Sequence, residues 1–380
     1  MFLALRELRF ARGRFALMGT VIALISVLVV LLSGLSSGLV NDGVSGLKSM
    51  PVTAFAFDEG TMKDNAFSRS VLEEDQLQPW RDAEGVEAAE PMGVSIVNST
   101  TSEGQQVDLT LFGVETDGFL APETSQGDGL GPVNGIVVSE TLKDDGVEIG
   151  TVMTLDRIDV ELTVVGFTEG QATFGHVDVA YLPLATWQLI ASNTAQAGVP
   201  TEATVAASDH SLFSAVAVQA KDDADVDLAA ADKAAGTTSM TLTESFNASP
   251  GYEAETMTLS MIQVFLYVIC ALVVGAFFTV WTIQRAGDLA VLRAMGASSR
   301  YLLRDSIAQA TLVLLVFTGI GVAAGVALGA AMPAAMPFEL EAGPIAVASL
   351  LTIVLGLLGA AVSVLRITRI DPLAALGGRR

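Results

Sequence analysis

Four long apolar stretches constrain this chain more than any other feature of its 380 residues. They cover residues 15–40, 257–283, 306–332 and 345–365. Each reaches the roughly 20 apolar residues that an α-helix needs to cross the hydrocarbon core of a bilayer. A polar block, residues 41–256, separates the first stretch from the other three. The sequence therefore predicts an α-helical membrane protein with four transmembrane helices and a large domain between helices 1 and 2.

Basic residues predict the side of the membrane on which each connecting segment lies. The short segments 1–14, 284–305 and 366–380 hold 12 basic and 4 acidic residues, a net charge of +8. The inserted block holds 8 basic and 36 acidic residues, a net charge of −28. Positive charge near span ends marks the cytoplasmic side, whereas long domains are exported largely regardless of charge. Both termini are therefore expected in the cytoplasm, with the acidic block and the short loop 333–344 outside the cell membrane.

The first apolar stretch has two interpretations, a retained span or a cleaved signal peptide. Its basic flank fits both. The apolar run is longer than the 7–15 residues of a signal peptide's apolar region, and no A-x-A-like cleavage site ends it. These features favour a retained helix.

Short β-branched and aromatic runs, bounded by Gly, Asp, Asn or Pro, predict strands in the outer block. The strands are expected at residues 52–57, 94–98, 106–113, 135–138, 151–155, 160–166 and 178–183. Helices are expected at residues 70–74, 184–191 and 211–218, with an exposed helix or loop at 221–237. The pattern predicts a mixed α+β domain with one or two sheets, divided into two lobes. The single cysteine, Cys270, lies in the second span, so the domain has no disulfides and needs its own apolar core.

Catalytic chemistry has little support in the outer block. His176 and His210 are the only histidines, and neither accompanies a nucleophile motif such as G-x-S-x-G. No His or Cys pair shows zinc-ligand spacing. The strong acidity also argues against nucleic acid as a partner. We expect a protein that is not an enzyme and has no intrinsic cofactor or resident metal.

Glycines recur at four-residue spacing on two of the spans. They are Gly34 and Gly38 in the first span, and Gly321, Gly325 and Gly329 in the third. Small residues at this spacing let helix backbones approach closely in lipid. The pattern predicts positions of tight helix packing.

The segment between the second and third spans predicts a short amphipathic helix, because apolar residues recur at helical spacing among charged ones. The apolar members are Leu289, Leu292 and Met295, and the charged members are Arg285, Asp288 and Arg293. Gly296 is expected to end this helix, and Ser298 or Ser299 to cap the next one. Such a helix can lie on the membrane surface, dock into a cytoplasmic partner, or serve as a simple connector.

Two cytoplasmic motifs resemble those of the FtsX/MacB-type permease family. The run "DLAVLRAMGAS", followed by "RDSIAQA", resembles the pattern E/D-[IL]-x-x-[LM]-[RK]-[AS]-[LIM]-G-A found after the second span of these proteins. The C-terminal run "RITRIDPLAALGG" resembles the family's closing motif. The four-span plan with a large first outer domain is similar too. The resemblance implies a permease subunit of an ATP-binding cassette (ABC) transporter.

The resemblance also implies partners. In similar proteins two permeases pair through their spans, and each contacts a cytoplasmic ATPase through the helix after span two. This implies a homodimer with two ATPase copies, in which ATP-driven closure is transmitted to the outer domain. The implied ATPase-coupling residues are Arg285, Asp288, Leu289, Leu292, Arg293, Met295 and Gly296. The chain lacks G-x-x-x-x-G-K-[ST], so a separate subunit must bind ATP and magnesium.

Spans one, three and four carry no charged side chain to form a polar path, which suggests an amphipathic cargo that enters from the membrane or from outside. The resemblance implies haem as the leading candidate. The dimensions of the chain are similar to those of the haem exporter permeases within the resembling family. Methionine, tyrosine and carboxylate side chains can hold haem iron. Candidate haem-binding residues near the outer span ends are Tyr252, Glu253, Glu255, Met257, Met261, Met50 and Met336.

Two alternatives remain open at the level of sequence. One is efflux of a drug or an antimicrobial peptide. The other is a signalling protein without cargo, similar to the cell-division members of the family, whose outer domain activates a cell-wall hydrolase. The outer block of 216 residues is larger than is usual in those members.

Overall fold

A computed structural model describes residues 12–207, 211–222, 224–284, 295–296, 298–333 and 336–368 of the chain. The chain divides into two units. Met1–Leu39 together with Thr256–Arg380 form the membrane unit, and Val40–Glu255 form the outer domain. The predicted fold class, four apolar helices with a mixed α+β domain between the first two, is confirmed.

Ten α-helices lie in the described residues. In chain order they are α1 (Arg12–Lys48), α2 (Ala66–Arg69), α3 (Glu74–Arg81), α4 (Leu184–Ala191), α5 (Glu202–Ala206), α6 (Leu228–Ala235), α7 (Leu242–Ser245), α8 (Tyr252–Gln284), α9 (Ser299–Gly329) and α10 (Ala342–Thr368). The four long enough and apolar enough to cross a membrane are α1, α8, α9 and α10.

The long helices begin and end at different residues from the apolar stretches that predict them. Helix α1 continues past residue 40 to Lys48, and α8 begins at Tyr252, ahead of residue 257. The reason is that hydropathy marks the segment suited to lipid, whereas helical hydrogen bonding continues into water wherever the backbone remains paired. At the start of α9 the hydroxyl of Ser298 accepts the N–H of Tyr301 at 3.2 Å, which is one of the two predicted caps.

Eleven strands of the outer domain form one mixed sheet among the described residues. They are β1 (Ala54–Asp58), β2 (Val86–Thr101), β3 (Gln106–Val114), β4 (Thr124–Gly127), β5 (Gly135–Val138), β6 (Val152–Leu155), β7 (Val160–Thr168), β8 (Thr173–Phe174), β9 (Val177–Pro183), β10 (Ala215–Ala220) and β11 (Thr237–Thr241). The strand order is β11-β1-β10-β2-β3-β9-β5-β7-β4, while β6 pairs with β2 and β7, and β8 pairs with β9. The pairs β3–β9 and β5–β7 are parallel.

Alternating side chains give the sheet two buried faces. On β1, Phe55 and Phe57 enter one apolar core, whereas Ala56 enters a second core on the other face. On β3, Leu111 and Phe112 likewise point into different cores. Successive strand residues point to opposite faces, so one sheet supplies several cores. The domain therefore gains its apolar burial from both sides of the sheet.

Two of the predicted outer-domain helices are wrong. Residues 211–218 contain strand β10, in which Ala215 and Val216 are both fully buried on opposite faces of the sheet. Burial on both faces overrides the helix preference of alanine. The helix predicted at 70–74 instead begins at Glu74 and runs to Arg81. Residues 221–237 do contain a helix, α6, in which the Asp227 carboxylate caps the N–H of Ala230 at 3.0 Å.

A pair of facing glycines makes room for a buried indole. Gly93 of β2 lies opposite Gly113 of β3, and the side chain of Trp187 lies against both. The indole N–H donates to the Ser95 hydroxyl at 3.1 Å. A Cβ atom on either glycine would overlap the Trp187 side chain.

Replacing Gly93 with alanine should destabilise the outer domain by about 1–3 kcal/mol, because overpacking forces rigid neighbours to move. Thermal unfolding of the full-length protein in detergent, followed by tryptophan fluorescence, measures the change. Gly129→Ala is the matched control, since no atom lies within 4 Å of an added Cβ there. Equal melting temperatures for the two variants would contradict the proposed packing.

Candidate functional site

Helix α1 kinks at Val44, whose backbone angles of φ −147° and ψ 15° are not helical. At the kink the carbonyl of Gly43 accepts the N–H of Gly175 at 2.9 Å and the hydroxyl of Ser249 at 3.0 Å. Groups inserted into the helical hydrogen-bond ladder are a known cause of kinks. The end of α1 is therefore bound to two distant chain segments of the outer domain.

Side chains reinforce this connection on both sides of the kink. The Ser45 hydroxyl accepts the N–H of Thr173 at 2.9 Å and lies 2.7 Å from the Thr173 hydroxyl. The amide of Gln171 donates to Asp42 Oδ1 at 2.9 Å. Strand β8 and its flanking residues thus hold α1 through several hydrogen bonds.

A two-residue turn joins β8 to β9. Its residues are Gly175 and His176, with φ values of 61° and 63°, and the flanking pair Phe174–Val177 closes the ladder. Positive φ at both positions is typical of type I′ hairpin turns, whose twist matches that of the strands. Histidine is tolerated there better than most side chains, but a non-glycine residue at positive φ is often functional.

The turn is anchored in the core of the outer domain. Phe174 is fully buried, and its ring centroid lies 5.4 Å from that of Phe67 and 5.7 Å from that of Phe112. Both contacts have edge-to-face geometry, which is favourable for aromatic rings. Such an anchor fixes the position of the adjacent His176 backbone.

His176 lies between two carboxylates. Its Nδ1 is 2.8 Å from Asp42 Oδ2, and its Nε2 is 3.0 Å from Glu255 Oε2. Asp42 lies on α1, and Glu255 lies in the first turn of α8. We call these three residues the histidine clamp.

Burial alone would lower the pKa of His176, but hydrogen bonds and charges from Asp42 and Glu255 outweigh it and raise this pKa above the usual 6.5. Tyr252 borders the clamp: its Cδ2 and His176 Cε1 each lie 3.7 Å from the place of a Cβ on Gly43. Among the described residues, no group of three or more His, Cys, Asp or Glu side chains is arranged to hold a metal ion.

The structure places the candidate haem-binding residues of the outer domain in different surroundings. Glu255 belongs to the clamp and Tyr252 borders it, while Glu253 lies exposed on the first turn of α8. Met50 is 7% exposed and packs in the aromatic core, so its thioether is not presented on a surface of this domain. Hydropathy placed Met50 near a span end, but the helix continues past residue 40 and carries it into the domain.

The candidate haem-binding residues in the membrane unit are exposed methionines. Met257 and Met261 are 65% and 51% exposed on α8, and Met336 is 47% exposed.

Of the predicted ATPase-coupling residues, Met295 is exposed, and Gly296 has the positive φ (96°) expected of a glycine that ends a helix. The remaining members lie outside the described residues; they are Arg285, Asp288, Leu289, Leu292 and Arg293.

The spaced glycines lie at close contacts within the membrane unit. Gly321 and Gly325 of α9 pack against α1, at Ala23, Ser26 and Val30. Gly34, Gly38 and Gly329 lie against the segment that contains Pro337 and Phe338. These contacts are made within one chain.

Sequence reasoning missed the role of Asp42 and His176. It tested histidine only for nucleophile and metal contexts, whereas the clamp uses it to bridge carboxylates. One signal was available, because Gly175-His176 between two β-prone runs has the form of a two-residue hairpin. No local sequence signal indicates that His176 pairs with Asp42 and Glu255, because 134 and 79 residues separate them from it.

The chain has four helices long and apolar enough to cross a membrane and an α+β domain inserted after the first, and comparison with known protein families identifies its family. Residues 15–234 match the MacB-like periplasmic core domain, and residues 260–372 match the FtsX-like permease C-terminal domain. The first match alone covers more than half of the chain. The chain belongs to the FtsX/MacB-type family of ABC transporter permeases, as its two cytoplasmic motifs predicted.

Individual relatives align over the full length. A Staphylococcus haemolyticus protein named "Putative hemin transport system permease protein HrtB" is 24% identical over 376 residues, 99% of each chain. A Mycobacterium bovis protein named as an uncharacterized ABC transporter permease is 24% identical, over 100% of this chain and 99% of its own. Among solved structures, the periplasmic region of MacB from Actinobacillus actinomycetemcomitans covers 51% of this chain and 91% of its own, at 13% identity and a TM-score of 0.36.

Replacing Ser45 with alanine should destabilise the outer domain by about 1–3 kcal/mol, because the buried N–H of Thr173 loses its acceptor. Thermal unfolding of the full-length protein measures the loss, and amide exchange at Thr173 should accelerate. Ser49→Ala, at an exposed position just after the end of the same helix, is the matched control and should be near neutral. An unchanged exchange rate at Thr173 in Ser45→Ala would show that this hydrogen bond is not formed.

Proposed function

We propose that this chain is the permease subunit of an ABC export system that removes haem, or a similar amphipathic molecule, from the membrane. The observation that carries the proposal is full-length similarity to relatives named for hemin transport, rather than similarity over one domain. The uncharged spans agree with it, because a hydrophilic cargo needs polar groups along its path. ATP hydrolysis belongs to a separate subunit, and this chain is not itself an enzyme.

The proposed arrangement is a homodimer in the cell membrane with two cytoplasmic ATPase copies. Both termini and the segment 284–305 lie in the cytoplasm, as their net positive charge favours, and the acidic outer domain lies outside. The ATPase contacts the amphipathic segment after the second span. Exposed apolar side chains on α8, such as Phe265 and Leu272, suit contact with lipid or with the second copy.

The proposed cargo site uses the first three turns of α8. Glu253, Met257 and Met261 recur every four residues, and α8 is helical from Tyr252 onward. Residues four apart lie on one face of a helix, so a carboxylate and two thioethers share a stripe. Thioethers and carboxylates are ligands that haem iron accepts.

Purified protein incubated with haem should show a shifted Soret band that Met257→Ala or Met261→Ala weakens, because each removes a candidate iron ligand. Absorption spectroscopy in detergent gives this readout. Met62→Ala is the matched control, since Met62 is a similarly exposed methionine of the outer domain, 62% accessible. Cells that lack the protein should also become sensitive to haem in the medium. A deletion strain as tolerant as its parent would exclude haem as the cargo.

Leu292→Asp should reduce the haem-stimulated ATPase activity of the reconstituted complex at least tenfold, because a charge on the apolar face prevents docking of the coupling helix. Leu292→Met keeps an apolar side chain of similar volume and is the control. Co-purification of the ATPase reports whether the two subunits bind, and the rate of phosphate release reports ATP hydrolysis. The two measurements together distinguish a complex that fails to assemble from one that assembles without hydrolysing ATP. Full ATPase stimulation in Leu292→Asp would contradict the assignment of this segment.

A further inference from the structure

The segment ahead of α10 lies against the side of α1. The backbone N–H of Glu339 donates to the carbonyl of Gly34 at 3.0 Å. Gly34 lies inside the helical course of α1, and a carbonyl has two lone pairs, so it can accept this N–H in addition to one from its own helix. Residues 337–341 are neither helix nor strand. An irregular segment is therefore bound to a helix of the membrane unit.

Glycines on two helices make room for this segment. An added Cβ on Gly34 of α1 would overlap the ring of Phe338. An added Cβ on Gly329, the last residue of α9, would lie 2.6 Å from Phe338 Cε1. The Phe338 ring thus fills a notch whose walls are glycines of α1 and α9. We call the segment Pro337–Leu340 the outer strap.

The outer strap descends along α1. Its first residue, Pro337, lies at Gly38, where an added Cβ would overlap the Pro337 carbonyl. The next two residues, Phe338 and Glu339, lie at Gly34, four residues further from the end of α1. Four residues of an α-helix correspond to a length of about 6 Å. The strap therefore dips by about one helical turn toward the middle of the span.

One carboxylate oxygen of the strap is buried without a hydrogen bond. It is Oε2 of Glu339, which no donor among the described residues reaches. A buried carboxylate oxygen that lacks a donor costs free energy, whereas water would supply donors to it. The packed position of the strap therefore carries a penalty that release into water would remove.

We propose that the outer strap is a releasable closure, which packs on α1 and α9 in the resting permease and leaves them during each transport cycle. The proposal rests on the export function proposed above and names a part of the chain that opens in it. Non-helical backbone at membrane depth is tolerated only where protein covers it or water reaches it. The strap meets the first condition when packed and the second when released, so it has two favourable positions.

Deeper in the spans, contacts between α1 and α9 are of a different kind. Gly325 of α9 lies against side-chain carbons of Val30 and the backbone of Val27. Close packing of this kind is what holds helices together in lipid, and no ionisable side chain takes part in it. The strap combines an apolar ring with a buried carboxylate instead. Release of the strap should therefore require less free energy than separation of the two helices.

Hydrogen exchange at Glu339 reports the position of the strap, because its amide is bonded to Gly34 in the packed position. The experiment uses the full-length permease with its ATPase in lipid nanodiscs, without cargo. Exchange should be slow without nucleotide, and about tenfold faster with a non-hydrolysable ATP analogue or with vanadate-trapped ADP, since opening exposes the amide to water. Equal exchange in all three states would overturn the proposal.

Two variants should shift this exchange in opposite directions. Gly34→Ala should accelerate it several-fold without nucleotide, because the added methyl group takes the place of the Phe338 ring. Gly319→Ala is the matched control, a glycine of α9 with no atom within 4 Å of an added Cβ. Glu339→Leu should slow the exchange several-fold, because it removes the buried carboxylate. Glu341→Leu, which replaces a partly exposed acid, should leave it unchanged.

The direction of the Glu339→Leu effect is decisive, because an element that only stabilises the fold has no penalty to remove. Faster or unchanged exchange in Glu339→Leu would overturn the proposal.

A crosslink tests whether release is needed for transport. Gly34→Cys and Phe338→Cys are combined in a Cys270→Ala background, which removes the single native cysteine, and are joined by a short bis-methanethiosulfonate reagent. The crosslink should lower haem efflux from proteoliposomes by about tenfold or more, as expected when a required opening is blocked, and a reducing agent should restore it. Gly319→Cys with Phe338→Cys is the control pair and should keep its efflux. Full efflux with the strap crosslinked would overturn the proposal.

The outcomes separate this proposal from the function on which it rests. The exchange measurements need no haem, so exchange that never changes with nucleotide removes the strap and leaves haem export standing. Nucleotide-dependent exchange at Glu339, in a protein whose deletion leaves haem tolerance unchanged, would instead contradict haem export and leave the strap standing.

Discussion

Backbone hydrogen bonding is the constraint on which the rest of this structure depends. Inside a bilayer every N–H and C=O must be paired within the protein, so the apolar stretches have to be helices. The same requirement acts where α1 bends. At Val44 the helical course is interrupted, and the carbonyl of Gly43 is satisfied by Gly175 and Ser249 instead. A local need for hydrogen-bond partners thereby ties the end of a spanning helix to the outer domain.

The outer domain supplies a firm support for that connection. Its sheet is buried on both faces, and the aromatic core on one face holds Phe174 next to the Gly175-His176 turn. The turn is strained at His176 by its positive φ, and tertiary packing maintains that conformation.

Membership of the FtsX/MacB-type permease family places these features in a transport system whose ATPase is a separate protein. In the function proposed above, energy from that ATPase would have to reach the outer domain through the helices that connect it to the spans. Hydrogen bonds from Thr173 and Gly175 hold the end of α1 in the outer domain, and His176 contacts Glu255 at the start of α8.

The sequence by itself determined the number of spans, the position of the inserted domain, the family and most strands, because hydropathy, β-propensity and short motifs are local signals. It failed at β10, where the alanines are buried on both faces of a sheet, and at Met50, which the extended α1 carries into a core. Only the tertiary structure decided that Asp42, His176 and Glu255 meet. Each is an ordinary polar residue within its own segment. The three side chains come into contact only because the kinked end of α1, the β8–β9 hairpin and the start of α8 lie close together in space.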